Sequence, residues 1–431
     1  MIPFLRNSLQ KKTKAFLPIM FTCTLFFSLL SFQKIEPQKV LNRKKVTAKE
    51  ILENPKFAAI CYGGYRTNTR DVEPTIDEIK EDLRILSALN IKIIRTYNVH
   101  LVQAENTLKA IQQLSKEDKN FEMYVMLGAW IDCENAWTTL VPNHDKESQR
   151  NAVEIDKTVE LANKYSEIVK IIAVGNEAMV KWAESYYVQP NVILKWVNNL
   201  QNLKKQHKIS KDLWITCSDD FASWGGGDES YKTKDLENLI RAVDYVSMHT
   251  YPFHNSHYNP NFWKTPASET NLSDIEKVNN ALNRAVNFAK SQYYTVQKYV
   301  KSIDSKKTVH IGETGWASSS DGFYGNEGSR AADEYKQAIY YKEIRKWSKS
   351  EKIACFYFQA FDEPWKDKEN PAGSENYFGL FSVDGKAKFA LWNDVDKNTF
   401  KNQKRGKNNI LKSFDGSKES LMKTVLNPPN N

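Results

Sequence analysis

The chain predicts an α/β fold, a single (β/α)8 TIM barrel with an N-terminal membrane anchor or signal segment and a polar C-terminal tail. Three observations carry the barrel. Eight apolar, strand-like runs recur along residues 55–392. Amphipathic stretches separate consecutive runs, and strands that alternate with helices build a parallel sheet. Eight such repeats close on themselves instead of spreading into an open sheet. The third observation is chemical. The run K-I-I-A-V-G-N-E stops at Glu177, and T-V-H-I-G-E stops at Glu313. In a parallel barrel all strand C-termini open on one face, which is where such folds carry out their chemistry.

The elements follow in order. Residues 57–62 form the first strand and 76–89 the first helix, with Ile76, Ile79, Leu83, Leu86 and Leu89 on one face at helical spacing. Strands are then expected at 91–97, 122–131, 170–174, 213–218, 244–251, 308–311 and 352–360. The intervening helices cover 104–114, 152–165, 192–203, 236–243, 281–300 and 331–347. No G-x-G-x-x-G follows the first strand, so a dinucleotide fold has no motif to rest on. Residues 33–54 are polar and basic and read as a linker with a helical start. Residues 393–431 are rich in Asn, Lys, Asp and Ser and are expected to be mostly disordered.

Residues 1–32 read as a signal or anchor segment. Arg6, Lys11, Lys12 and Lys14 precede residues 15–32, which are almost wholly apolar and about long enough to span a bilayer. Ser28-Leu29-Leu30-Ser31-Phe32 lacks the small-x-small pattern of a cleavage site. An uncleaved anchor is therefore favoured, with the membrane as partner and the barrel exported. Cleavage, leaving a secreted or periplasmic protein, is the alternative.

Several function classes lack support. The net charge is +9, but the basic residues are scattered and crowd the tails, so no nucleic-acid partner is expected. The five cysteines show no C-x-x-C, and the seven histidines no H-E-x-x-H. No cofactor and no metal are expected. His310 reads as a core histidine, whereas His249 is placed to reach the barrel mouth. Without G-x-S-x-G there is no serine nucleophile elbow. The sequence sets no oligomeric state.

Two carboxylates across one cleft are what glycosidic bond cleavage requires: one protonates the leaving oxygen, the other attacks the anomeric carbon. Asn176 can offer its amide to a sugar 2-hydroxyl, which marks Glu177 as the acid/base. Arg95 and Tyr251, at the ends of the second and sixth strands, can donate to Glu313 and keep it ionised as the nucleophile. Tyr62, Tyr97, Trp130, Tyr251, Trp316 and Trp365 lie at or just beyond strand ends, where rings could stack on sugars or pack in the core. Residues 254–274 form a long loop with Tyr258, Phe262 and Trp263, and loops of that length are more often functional than idle.

Six segments carry a resemblance. They are Ile60-Cys61-Tyr62-Gly63, Ile94-Arg95-Thr96-Tyr97, Val174-Gly175-Asn176-Glu177, Tyr251-Pro252-Phe253, Gly312-Glu313-Thr314-Gly315-Trp316 and Ala360-Phe361-Asp362-Glu363-Pro364-Trp365-Lys366. Together they resemble family 17 glycoside hydrolases, the β-1,3-glucanase family, in its fungal and bacterial branch. The resemblance implies Glu177 as acid/base and Glu313 as nucleophile, with Tyr62, Asn176, Tyr251, Trp316 and Glu363 contacting or orienting substrate. It implies a β-glucan or oligosaccharide substrate, cleaved or transferred with retention. A glucanosyltransferase and a non-catalytic sugar-binding barrel are the alternatives. The sequence departs from the family at His249-Thr250 and in the long loop that follows.

Overall fold

In the computed structural model, which describes residues 46–431, eight parallel strands close into one barrel in sequential order. They are β1 (Ala58–Cys61), β2 (Ile91–Arg95), β3 (Tyr124–Ala129), β4 (Val169–Asn176), β5 (Trp214–Asp220), β6 (Val246–His249), β7 (Val309–Gly315) and β8 (Cys355–Phe358). Ile60 of β1 pairs with Ile94 of β2 on one side and with Tyr357 of β8 on the other, which shuts the ring. β1 and β8 are buried at every position, as expected for strands covered by side chains inside and helices outside.

The helices start where the sequence offers caps. Thr75 and Glu78 form a reciprocal capping box at the start of helix Ile76–Ala88, which buries Ile79, Leu83 and Leu86 against the barrel. Ser273 and Glu276 do the same for helix Asp274–Ile303. A small antiparallel hairpin, Cys133–Glu134 with Asn143–Glu147, was not legible because its polar residues show no alternation. The cysteines at 61, 133, 217 and 355 are all buried free thiols.

The described end of the linker, helix Ala48–Leu52, belongs to the barrel, because Ala48, Ile51 and Leu52 are buried in its core. The apolar run 15–32 lies outside the described residues. Among the described residues no helix is long and apolar enough to cross a membrane.

The expectation of a disordered tail over 393–431 is corrected. This segment carries short strands and helical turns and is keyed into the barrel. Arg405 is buried, donates from Nε to Asp82 Oδ1 at 2.9 Å and lies 4.1 Å over the Phe361 ring. Thr265 donates its N–H to Pro429 O, and the Asn431 N–H returns to Thr265 O. Composition misled because a handful of buried apolar residues (Phe400, Ile410 and Leu421) and one buried ion pair anchor an otherwise polar strap. Arg405→Met is therefore expected to cost about 3 kcal/mol, since it strips one of two guanidinium partners from buried Asp82. Chemical denaturation would measure it, and unchanged stability would count against a structural role for the strap.

Candidate active site

The two glutamates leave their strands through unusual backbone. Gly175 has φ +82, and a Cβ there would lie 2.9 Å from the Ala178 methyl. Glu177 itself has φ +47, a left-handed conformation that costs a non-glycine residue energy and recurs at functional sites. Its N–H donates to Ser218 O at 3.0 Å, which anchors this turn to β5. On β7 the glycine before Glu313 is also required: a Cβ on Gly312 would stand 2.1 Å from Ser247 Oγ.

Glu313 is gripped by three donors. Arg95 Nη1 donates to Oε2 at 2.6 Å, Tyr97 Oη to Oε2 at 2.9 Å and Tyr251 Oη to Oε1 at 2.5 Å. Burial works against the carboxylate. The positive charge that His249 and Arg95 can present, together with the tyrosine hydroxyls, outweighs burial and holds Glu313 below its ordinary pKa. Burial pushes His249 itself down to about 4, so near neutrality the charge that matters is the one on Arg95. Arg95 also donates to Gly312 O at 2.9 Å and to Asn176 Oδ1, so one buried guanidinium ties together both strand ends.

Glu177 is held differently. His249 Nδ1 lies 3.0 Å from Glu177 Oε1, and its Nε2 lies 3.2 Å from Arg95 Nη1 and 2.8 Å from Ser218 Oγ. A guanidinium can only donate, so Nε2 accepts and the neutral ring carries its proton on Nδ1. His249 thus donates to Oε1 and leaves Oε2 as the oxygen that holds an acidic proton. Burial, then the charge on Glu313, pushes Glu177 up to about 8. Its side chain nevertheless keeps 18% of its surface exposed, enough to meet a ligand.

One oxygen of each glutamate and a ring nitrogen of His249 lie within 4.8 Å of one another, a spacing that could hold a cation. Arg95 already provides the positive charge at this point, 2.6 Å from Glu313. If that charge keeps Glu313 ionised, Arg95→Met should move the acidic limb of the kcat/KM profile to higher pH. An unmoved limb in a folded variant would contradict the assignment.

The other expected site residues divide. Asn176 is half-buried, with its Oδ1 turned to Arg95 and its amide N–H groups on the opposite edge. Glu363 is buried beside Gly63, its Oε2 3.8 Å from Lys366 and its Oε1 without a hydrogen-bond partner. Trp365 is half-buried, with Arg70 4.4 Å over its ring and Tyr65 at its edge. Two expectations are corrected. Tyr62 is buried and donates its hydroxyl to Asp82 at 3.1 Å, toward the surrounding helix and not the carboxylates. Trp316 is wholly buried among Phe253, Trp263 and Tyr340, with its indole N–H on Ala331 O, so it offers no face to a ligand. His310 is a core histidine whose Nδ1 accepts from the Ala354 N–H.

Sequence reasoning missed Asp219 and Asp220, because the apolar run ends at Ser218 while β5 continues through both. Burial pushes Asp219 up to about 6 and Asp220 up to about 8. It also missed an aromatic wall. Tyr186 stacks on Trp137 at 4.9 Å and lies 5.4 Å from Trp130. Trp137 is 56% exposed and sits at φ +61. Only tertiary folding joins these rings, since they come from the loops after β3 and β4.

Residues 59–379 match the model of the BtgE/BtgC glycoside hydrolase domain. An endo-laminarinase of known structure from Formosa is 59% identical, with a TM-score of 0.89, over 90% of this chain and 98% of that one. "Probable glucan endo-1,3-beta-glucosidase btgC" of Aspergillus flavus is 24% identical over 81% of this chain, which spans 46% of that relative's length. A family 17 β-1,3-glucanosyltransferase from Rhizomucor miehei, at 21% identity and a TM-score of 0.54 over 78% of this chain and 96% of that one, shares the fold. The family model covers most of the chain, and the chain belongs to the BtgE/BtgC glycoside hydrolase family.

Proposed function

We propose that this protein is a retaining family 17 glycoside hydrolase that cleaves β-1,3-glucan, with Glu177 as acid/base and Glu313 as nucleophile. One observation carries the reading: two carboxyls with oxygens within 4.8 Å, one pushed up in pKa and the other held down. Retaining enzymes keep their carboxyls about 5–5.5 Å apart, whereas inverting enzymes need about 6.5–9.5 Å to admit a water. The β-1,3 linkage is inferred from the similarity to the Formosa endo-laminarinase.

The chemistry follows from the two environments. Glu313, ionised against Arg95, attacks the anomeric carbon. Glu177 gives its proton to the departing oxygen, and a covalent glycosyl-enzyme forms. That bond removes the charge of Glu313, one of the causes that raise Glu177. Having given up its proton in the first step, Glu177 stays ionised at this lowered pKa and serves as the base that activates water. Asn176, its acceptor side occupied by Arg95, is left to donate to the sugar 2-hydroxyl. The run 15–32 supports an exported, membrane-anchored barrel.

A second reading, transfer to another sugar, is favoured by the aromatic wall of Trp130, Tyr186 and Trp137. Tyr186 lies in the loop that follows Glu177, and its pKa is raised by burial and next by the charge on Glu177. A stacked sugar there could replace water as acceptor. The test is digestion of linear β-1,3-glucan, with β-1,6 and mixed-linkage glucans as controls and product sizes resolved. Release of β-1,3-linked fragments is expected. Products longer than an oligosaccharide substrate would establish transfer, and failure to cut β-1,3-glucan would overturn the substrate assignment.

A further inference from the structure

The loop after β6 is tied down by hydrogen bonds yet displays exposed rings. Over 254–274 the chain forms helix Pro252–Tyr258 and short turns at Pro260–Phe262 and Ala267–Glu269. Trp263 is wholly buried and donates its indole N–H to Ser329 O at 2.6 Å. Ser256 Oγ meets Ser329 Oγ at 2.8 Å. Arg284 donates to Phe262 O, Lys264 O and Glu269 Oε1, which clamps the loop to helix Asp274–Ile303. Against this fixed base, Tyr258 is 65% exposed and Phe323, from the loop after β7, is 57% exposed. The His257 ring lies flat on Phe323 at 4.2 Å, and Tyr258 stands 6.4 Å away. Side chains already held by a rigid frame lose little freedom when something binds.

Ring contacts, some through buried Tyr324, link these residues to Glu313. Tyr251, whose hydroxyl donates to Glu313, lies 5.2 Å from the His254 ring. His254 lies 5.6 Å from Tyr324, which in turn is 6.2 Å from His257 and 6.4 Å from Phe323. Along this strip His254 and Glu375, 3.8 Å apart and partly exposed, supply donors and acceptors. Flat apolar faces interrupted by a polar pair match a sugar chain, which offers C–H faces and hydroxyls in turn. Two exposed rings are too small for a stable protein interface, which typically buries about 800 Å² per partner.

We infer that Phe323, Tyr258 and His257 form an outer platform that holds a β-glucan chain away from the scissile bond, with His254 and Glu375 bridging it to the catalytic centre. This rests on the glucan reading above and adds to it a contact made only by longer chains. None of the three platform residues touches Glu177 or Glu313 in the hydrogen-bond network around them.

The test uses the full chain carrying Tyr258→Ser and Phe323→Ser together, with Phe323→Tyr as the ring-preserving control. On long linear β-1,3-glucan, kcat/KM of the double variant should fall about tenfold, and its retardation in gels containing that glucan should weaken. On laminaritriose its rate should match the wild type, and Phe323→Tyr should behave as wild type throughout. An unchanged rate and retardation on the long glucan would overturn the inference, as would an equal fall on both chain lengths. A wild-type protein that neither cuts nor is retarded by β-1,3-glucan overturns the substrate reading. A wild type that does both, matched by its double variant, overturns the platform alone.

Discussion

Glu313→Ala should abolish turnover of β-glucan, with kcat down roughly ten-thousand-fold or more, because the proposed mechanism makes its carboxylate the nucleophile. Three donors converge on Glu313, and removing it leaves Arg95 buried without its ion-pair partner. That loss is expected to cost stability on the order of 3–5 kcal/mol, so folding must be checked by circular dichroism. Glu313→Gln keeps the shape and an acceptor for Arg95, and should be equally inactive while more stable. The alanine variant opens a space beside Arg95 that a small anion such as azide can enter. With an activated aryl β-glucoside, azide should restore turnover and give a glycosyl azide of inverted configuration. Sugar release at the wild-type rate from either variant would remove Glu313 from the mechanism.

Glu177→Gln should have the next largest effect, lowering kcat on glucan roughly a hundred- to ten-thousand-fold. The pH profile is the sharper readout. In the proposed mechanism Glu177 must be protonated for the first step. Because its pKa is raised to about 8 by burial and by the charge on Glu313, activity should hold below that value and fall as pH rises through it. Glu313 must be ionised, and its pKa is held down despite burial, so the acidic limb should lie below the ordinary carboxylate range. Glu177→Gln should erase the alkaline limb, since glutamine does not titrate. Bond breaking in substrates with a good leaving group should survive the change, because a stable leaving anion needs no proton. An alkaline limb that persists near pH 8 in Glu177→Gln would assign it to another group. Asp220, also pushed up to about 8 by burial, is the first to examine, through Asp220→Asn.

Much of this site was legible because strand ends leave local signatures. Glu177, Glu313, Asn176, Arg95 and Tyr251 all sit where an apolar run stops, and the barrel brings all five together. The same rule failed for Tyr62 and Trp316. An aromatic ring at a strand end can turn into the mouth or back under the helices, and its residue type suits either. Tyr62 is turned by Asp82, and Trp316 by the cavity between Phe253, Trp263 and Tyr340. Asp219 and Asp220 were lost for the opposite reason: hydrogen bonding carries β5 past the end of its apolar run, which hydrophobicity cannot report. The tail was misjudged because its order depends on Arg405 meeting Asp82, more than three hundred residues away.

The sequence by itself determined the number and order of the barrel strands, the face on which the chemistry lies and the two carboxylates at its centre. Those follow from hydrophobic periodicity and from the residue types at strand ends, which are local properties of the chain. The sequence could name Glu177 and Glu313, but only the tertiary structure decided what surrounds each, since that depends on Arg95 meeting Glu313 across 218 positions and on His249 reaching Glu177. Closing the barrel puts these groups within hydrogen-bonding distance in a place poor in water. There, one buried guanidinium and the mutual repulsion of two carboxylates are strong enough to push their pKa values apart.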